Sequence, residues 1–164
     1  MLKSWEDRKL ISAGAAESLV QSILKEHLSC DVLTSTANVN DPDGGIDLHV
    51  CSKNGNIISA VQVKRRISQN TESVSEVRNF VGAMEIEDIK KGIFVTTADK
   101  FTKPANKIPE KLKSINSRLE LQLIDGQSLF ELLKCNIRPE TLIMPPDVDQ
   151  FGLGNVAIDL QLKV

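Results

Sequence analysis

The sequence is poor in several residue types on which particular functions depend. It contains no tyrosine, one tryptophan and five phenylalanines among 164 residues, which argues against a binding surface built from many stacked aromatic rings. Its 20 lysines and arginines are balanced by 22 aspartates and glutamates, so the formal net charge is −2. The chain is therefore not a uniformly basic nucleic-acid-binding protein, although a local basic face is compatible with this balance.

Cysteine and histidine are also scarce. Cys30, Cys51 and Cys135 are widely spaced, form no CxxC pair and are accompanied by only two histidines. This composition supports neither a zinc knuckle nor a disulfide framework, and it favours a reduced, cytoplasmic location. No run approaches the ~18 apolar residues of a membrane span, and residues 1–8 lack the apolar core of a signal peptide.

Hydrophobic periodicity predicts an α/β fold. Apolar side chains at helical spacing predict a helix within residues 4–28, and a capping-box sequence at Ser73 predicts another helix to about Ile86. Further helices are predicted at 103–118, interrupted by Pro109, and at 128–135. Strands are predicted at 30–36, 46–51, 56–65, 92–97 and 119–124. The order α-β-β-β-α-β-α-β-α indicates a central mixed β-sheet flanked by helices.

The sequence predicts two parts of unequal size. Residues 1–136 carry all of the periodic segments above and are predicted to form one domain. Residues 137–164 are predicted to be a proline-containing linker followed by a terminal strand. Because a lone strand must pair with something, this strand either begins a second domain or adds to the sheet of a partner.

The predicted hairpin between the second and third strands places polar residues together. The dipeptide Asn54-Gly55 favours a two-residue type I′ turn, and such a turn places Asp47 opposite Gln62. Gln62 and Lys64 are two positions apart, so they share one face of their strand. Directly opposed residues have Cβ atoms about 4.5–5.5 Å apart. The pattern therefore predicts an acid, an amide and a lysine in one cluster.

An acid, a second oxygen donor and a lysine are the groups that metal-assisted phosphodiester hydrolysis requires. Mg²⁺ prefers hard oxygen ligands, which Asp47, the amide of Gln62 and the backbone carbonyl of Val63 would supply. Lys64 would contact the attacking water or the phosphate and stabilise developing charge. Glu17 interrupts the apolar stripe of the first helix, so it either needs a partner, such as this metal or Lys64, or faces solvent.

These residues belong to an ordered set of motifs that resembles the Mrr-like restriction endonucleases, within the PD-(D/E)xK nuclease superfamily. The set comprises Asp43-Gly-Gly-Ile-Asp47-Leu, Val61-Gln-Val-Lys64-Arg65, Phe80-Val-Gly82, Gly92-Ile-Phe-Val-Thr-Thr97 and Leu123-Ile-Asp-Gly126. It extends over about residues 10–135. The resemblance implies a restriction-endonuclease-like fold and a DNA endonuclease that depends on Mg²⁺ or Mn²⁺ and acts in restriction or anti-phage defence.

The resemblance also assigns roles to individual residues. The catalytic aspartate of the family falls on Asp47, its Gln-x-Lys motif on Gln62 and Lys64, and its first-helix glutamate on Glu17. Asp43, although it follows a proline, is placed in the loop before the strand. Cutting both DNA strands implies a homodimer, and target recognition implies a further domain or a partner protein.

Four basic residues are candidates for DNA contacts. Arg65 and Arg66 follow Lys64 out of the predicted active strand and are expected to bind phosphates. Lys103 and Lys107 are spaced for one helix face. They either follow DNA phosphates, which would make binding sensitive to salt, or form a solvated face.

Two other functions stay open at this level. In the first, the nuclease fold is retained to bind DNA or a protein while catalysis is weak or lost. Gln62 in place of the usual second acid, and the lack of a recognisable helix-turn-helix segment, are compatible with this alternative. In the second, the chain is a nuclease similar to Holliday-junction resolvases, which share this small fold.

Overall fold

The computed structural model describes residues 10–28, 30–35, 45–67 and 70–136. The helices are α1 (Ala13–Leu28), α2 (Val74–Ile86), α3 (Lys103–Asn106), α4 (Ile108–Ser114) and α5 (Gly126–Asn136). The strands are β1 (Asp31–Thr34), β2 (Leu48–Cys51), β3 (Ile57–Lys64), β4 (Thr71–Glu72), β5 (Lys91–Thr96), β6 (Lys100–Phe101) and β7 (Glu120–Ile124). The predicted linker and strand at 137–164, the segment before residue 10 and the loop residue Asp43 lie outside the described residues. None of the described helices is long and apolar enough to cross a membrane.

Five strands form a central mixed sheet in the order β1-β2-β3-β5-β7. The β1–β2 and β2–β3 pairs are antiparallel, whereas β3–β5 and β5–β7 are parallel. This arrangement confirms the predicted fold class. Sequence periodicity missed β4 and β6, which form a separate two-stranded parallel sheet. Two-residue strands are too short to show an alternating pattern.

The β2–β3 hairpin has the predicted register but not the predicted turn. Leu48 pairs with Val61 and Val50 pairs with Ser59, as expected. The loop, however, has three residues between Ser52 and Asn56, because the Ser52 N–H donates to the Asn56 carbonyl at 2.8 Å. Gly55 has the positive φ, +79°, that closes a loop of this type. A β-bulge between Val50 and Cys51 offsets the additional loop residue and restores the register.

The sheet separates two apolar clusters. On one face, which we call the α1–α5 face, the buried strand side chains are Val32, Leu48, Val50, Val61, Val63, Ile93, Val95 and Ile124. On the other, the α2–α4 face, Ala60 and Phe94 pack with Phe80 and Met84 of α2 and with residues of α3 and α4. Because side chains alternate along a strand, Gln62 and Lys64 project towards the α2–α4 face.

Short capping motifs define where the helices begin. The Ser12 hydroxyl accepts a hydrogen bond from the Ala15 N–H at 3.1 Å, so α1 begins at Ala13. The predicted helix at 103–118 is divided into α3 and α4. Pro109 lies in the first turn of α4, where its missing N–H has no helical partner to lose.

Candidate active site

Asp47 immediately precedes β2, and its carboxylate turns towards β3. Its Oδ2 atom accepts a hydrogen bond from the Val63 N–H at 2.6 Å, while its own N–H donates to the Val61 carbonyl at 2.8 Å. The predicted pairing of Asp47 with Gln62 is therefore wrong, because the strand pairing ends at Leu48 and Val61 and the Asp47 N–H bonds to Val61 instead. Its carboxylate nevertheless lies beside the peptide group that joins Gln62 to Val63.

Gln62 is buried in the middle of this arrangement, with only 4% of its surface exposed. Its Oε1 atom has no hydrogen-bond partner in the part of the chain that the structure describes. Most buried polar atoms in proteins are hydrogen-bonded. An unpaired buried amide oxygen is therefore suited to accept a hydrogen bond or to bind a cation.

Glu17 extends from α1, which covers the α1–α5 face of the sheet. Partial burial raises the pKa of Glu17, and the negative charge of Asp47 raises this pKa further. The two carboxylates are thus close enough to repel each other. A cation near both would stabilise their ionised forms.

Lys64 ends β3 and is held near the first turn of α2. Its Nζ atom lies 3.6 Å from Oε2 of Glu76, and each side chain is about one-third exposed, at 31% for Lys64 and 32% for Glu76. The sequence indicated Glu76 only as the residue that reaches back to the helix cap. The only sequence signal for the contact with Lys64 is the charge pattern, in which Glu72 and Glu76 follow the basic residues that begin at Lys64.

Arg66 is bound by an acid that the sequence analysis did not single out. Its Nε and Nη2 atoms donate to Glu72 at 2.9 and 2.7 Å, and the Glu72 side chain is fully buried. The hydrogen bond to Glu72 is the main reason why the pKa of Arg66 is raised. Glu72 also accepts hydrogen bonds from the Thr96 hydroxyl at 2.9 Å and from the Ser73 N–H at 3.1 Å.

The other candidate residues lie away from this centre. Arg65 is partly buried just after β3, whereas Lys103 and Lys107 are exposed at the start and end of α3. The structure thus brings Asp47 to the strand that carries Gln62 and Lys64, with Glu17 electrostatically coupled to Asp47. Among the described residues, no hydrogen bond or ion pair joins Lys103 or Lys107 to these groups.

The donor set is one of hard oxygens. It consists of the Asp47 and Glu17 carboxylates, the unpaired Gln62 amide oxygen and the backbone carbonyl of Val63. Within residues 10–28, 30–35, 45–67 and 70–136, no three or more His, Cys, Asp or Glu side chains form a group that could hold a metal. A metal here would need the amide and the backbone carbonyl, and both are oxygen ligands that Mg²⁺ accepts.

The central mixed sheet is that of a restriction-endonuclease-like fold, with Asp47 just before β2 and with Gln62 and Lys64 on β3. Residues 10–133 match the model of the Mrr catalytic-domain family, described as a restriction endonuclease. The match extends over most of the 164 residues. The chain therefore belongs to the Mrr-type restriction endonuclease family, which confirms the resemblance seen in its motifs.

A solved structure shares the fold. It is described as the ATP-dependent Type ISP restriction-modification enzyme LlaBIII bound to DNA, and it superposes with a TM-score of 0.54 at 18% sequence identity. The alignment covers 78% of this chain but only 8% of that chain. The aligned region is thus a small part of that longer chain. No curated protein matched the chain.

Proposed function

We propose that this domain is a divalent-metal-dependent DNA endonuclease that hydrolyses phosphodiester bonds in restriction or anti-phage defence. The observation that carries the proposal is the hydrogen bond from the Val63 N–H to the Asp47 carboxylate, 2.6 Å long. It anchors an acid beside the strand segment that holds Gln62 and Lys64. Membership of the Mrr-type family supports the same activity.

The residues that would hold Mg²⁺ or Mn²⁺ are Asp47, Gln62, Glu17 and the backbone carbonyl of Val63. When bound, such an ion stabilises charge on the phosphate and makes a bound water more acidic. The fit depends on two features of the site, the unpaired Oε1 of Gln62 and the mutual repulsion of Glu17 and Asp47. A cation would give the Gln62 oxygen a partner, and it would reduce the repulsion between the two carboxylates.

Lys64 supplies the positive charge of the protein itself. Its ammonium group would donate hydrogen bonds to the attacking water or to a non-bridging phosphate oxygen. Negative charge grows on the phosphate oxygens in the transition state, so a preorganised ammonium stabilises that state more than the ground state. The hydrogen bond from Val63 serves a different purpose, since it keeps the Asp47 carboxylate oriented without a mobile side chain.

DNA would be held by Lys103, Lys107 and Arg65, whereas the guanidinium of Arg66, which was also expected to bind phosphates, is engaged with the buried Glu72. Replacing both Lys103 and Lys107 with alanine should weaken DNA binding and reduce the slope of log K against log salt by about 2, since each phosphate contact contributes about 0.9. The matched control is Lys25→Ala, which removes an exposed lysine of α1. An unchanged slope in the double variant would mean that these lysines form only a solvated face.

The proposal includes a cytoplasmic location, a homodimer that cuts both strands, and a further domain or partner protein that reads the target. A second function is a module that binds DNA or a protein without efficient catalysis. It is favoured by Gln62 in place of an acid, since a less negative site holds a cation less strongly. Its signature would be DNA binding that ignores divalent metal and survives replacement of Lys64.

The deciding experiment is cleavage of supercoiled plasmid by the wild type, Lys64→Ala and Lys53→Ala with Mg²⁺, Mn²⁺ or EDTA. Lys53 lies in the hairpin loop at the opposite end of β3, so its variant controls for loss of a lysine. We expect metal-dependent nicking or linearisation by the wild type and Lys53→Ala but not by Lys64→Ala. Equal cleavage by all three would contradict the assigned site. In a separate assay with synthetic DNA, preference for a four-way junction over linear duplex would indicate a resolvase.

A further inference from the structure

The capping box at the start of α2 is incomplete, and this leaves the carboxylate of Glu76 facing Lys64. Half of the box is present, because the Ser73 hydroxyl accepts from the Glu76 N–H at 3.4 Å. In a complete box, the Glu76 side chain would bind the Ser73 N–H. That N–H instead donates to Glu72 at 3.1 Å. Glu76 is therefore released from the cap, and its carboxylate faces Lys64.

Glu76 is held from its other side by Arg66. The Nη2 atom of Arg66 lies 3.8 Å from Oε1 of Glu76, while the same guanidinium makes two hydrogen bonds to Glu72. Thr96 and Ser73 fix Glu72 in turn. The result is a row of alternating charges, Glu72, Arg66, Glu76 and Lys64, which runs from the buried core to the end of β3.

We propose that Glu76 is a positioning residue, which holds the Lys64 ammonium in place for phosphodiester hydrolysis. This inference rests on the proposed nuclease function. A lysine side chain has four rotatable bonds, so an unrestrained ammonium would spend little time at the reacting phosphate. The buried Glu72–Arg66 pair supplies a rigid support for Glu76, and Glu76 transmits that rigidity to Lys64.

Three possible roles of Glu76 predict different effects when its carboxylate is removed. If the contact is an ordinary partly exposed ion pair, removing it should leave the reaction unchanged, since such pairs contribute little. If Glu76 is instead a metal ligand, removing it should weaken metal binding. A positioning residue alters the rate of the chemical step while DNA affinity and metal affinity stay the same.

The test compares Glu76→Gln, Glu76→Asp and Glu85→Gln with the wild type. Glu85 is the matched control, since it lies on the same helix and pairs with Arg118 at 3.0 Å, away from Lys64. We expect Glu76→Gln to lower the single-turnover cleavage rate by about 10- to 100-fold, since a displacement of about 1 Å can cost 100-fold. Glu76→Asp should recover at least part of the rate, and Glu85→Gln should match the wild type.

The same variants are titrated with plasmid and with Mg²⁺. The dissociation constant for DNA and the half-saturating Mg²⁺ concentration should change by less than about threefold in Glu76→Gln, because only the chemical step is affected. A tenfold rise in the Mg²⁺ requirement would overturn the inference in favour of a metal ligand. A wild-type rate in Glu76→Gln would overturn it in favour of an ordinary ion pair.

A readout that does not depend on cleavage separates this inference from the proposed function. The rate at which an acylating reagent modifies Lys64, followed by mass spectrometry, should rise several-fold in Glu76→Gln, with Lys53 as the internal reference. Unchanged acylation would contradict the positioning role even if the protein cleaves DNA. Faster acylation in a protein that cleaves no DNA would contradict the proposed function but not the contact.

Discussion

The two faces of the central sheet use the same strands for different purposes. Towards α1 and α5, β3 and β5 present Val61, Val63, Ile93 and Val95, all buried and apolar. Towards α2, the carboxyl-terminal parts of the same strands present Gln62, Lys64 and Thr96. Alternation along each strand is what makes this division possible. The α1–α5 face of these strands contributes to an apolar cluster, while the α2–α4 face combines an apolar cluster with polar groups at the carboxyl-terminal end of the strands.

Polar groups on the α2–α4 face are tolerated because most of them have partners. Glu72 is fully buried, but Arg66, Thr96 and Ser73 all donate hydrogen bonds to its carboxylate. An unpartnered buried carboxylate would be very costly. Gln62 is the exception on this face, since its Oε1 atom has no partner among the residues described. Glu72 and its hydrogen-bond donors thus support the site, whereas the Oε1 atom of Gln62 is available to a ligand.

The largest expected effect comes from removing the acid of the site. Asp47→Asn should lower the cleavage rate by at least about 100- to 1,000-fold, as loss of one preorganised charged group commonly does. The amide oxygen can still accept the Val63 N–H, so the melting temperature should change little. Asp31→Asn, at an exposed position of β1, is the control. Full activity in Asp47→Asn would remove this residue from the mechanism.

The buried support of the site should matter for stability. Glu72→Gln leaves the Arg66 guanidinium without its carboxylate and should reduce the free energy of unfolding by about 3–5 kcal/mol. Glu85→Gln breaks the exposed pair with Arg118, and its cost should not exceed about 1 kcal/mol. Urea denaturation of both variants measures the difference. Equal costs would mean that the buried pair is no more important than a surface pair.

The tightness of packing on the apolar part of the α2–α4 face can be tested at Gly92, with the open position Gly82 as the comparison. A Cβ at Gly92 would collide with Met84 Sδ and lie 2.9 Å from Cε1 of Phe80, so Gly92→Ala should cost about 1–3 kcal/mol. Gly82 has no neighbour within 4 Å of such a Cβ, and Gly82→Ala should stabilise α2 by about 0.5–1 kcal/mol. Chemical denaturation gives both values. A stabilised Gly92→Ala would show that Met84 moves aside easily.

Local patterns in the sequence were sufficient for the main elements and for the strand that carries the site. The turn signal Asn54-Gly55 predicted the hairpin that contains β3, and alternation predicted β7. Helical spacing predicted α1, and the capping box at Ser73 predicted α2. The spacing of Gln62 and Lys64 predicted that they share a face, which agrees with the alternation of β3, since Val61 and Val63 lie in one apolar cluster and Ala60 in the other. Each of these properties depends on residues only a few positions apart. The family resemblance followed from the order of such local motifs and agrees with the family match.

The predicted pairing of Leu48 with Val61 is correct, but the turn on which the prediction was based is not. A two-residue turn was expected, but a three-residue loop and a compensating bulge give the same pairing of Leu48 with Val61. The requirement to pack Leu48 and Val50 on the α1–α5 face favours this register, because a shift by one residue would turn them to the α2–α4 face. Packing across the sheet therefore determined the pairing, and the turn adapted to it.

The sequence by itself determined which segments become helices and strands and which side of each strand is polar. Only the tertiary structure decided the actual contacts of Asp47, whose carboxylate accepts from the Val63 N–H and raises the pKa of Glu17, although the sequence predicted that Asp47 would lie beside Gln62. It also decided that Glu72 replaces Glu76 at the Ser73 N–H, which directs Glu76 towards Lys64. The physical reason is that periodicity describes the environment of one segment. Contacts between segments depend on how the chain as a whole satisfies its buried charges and hydrogen bonds.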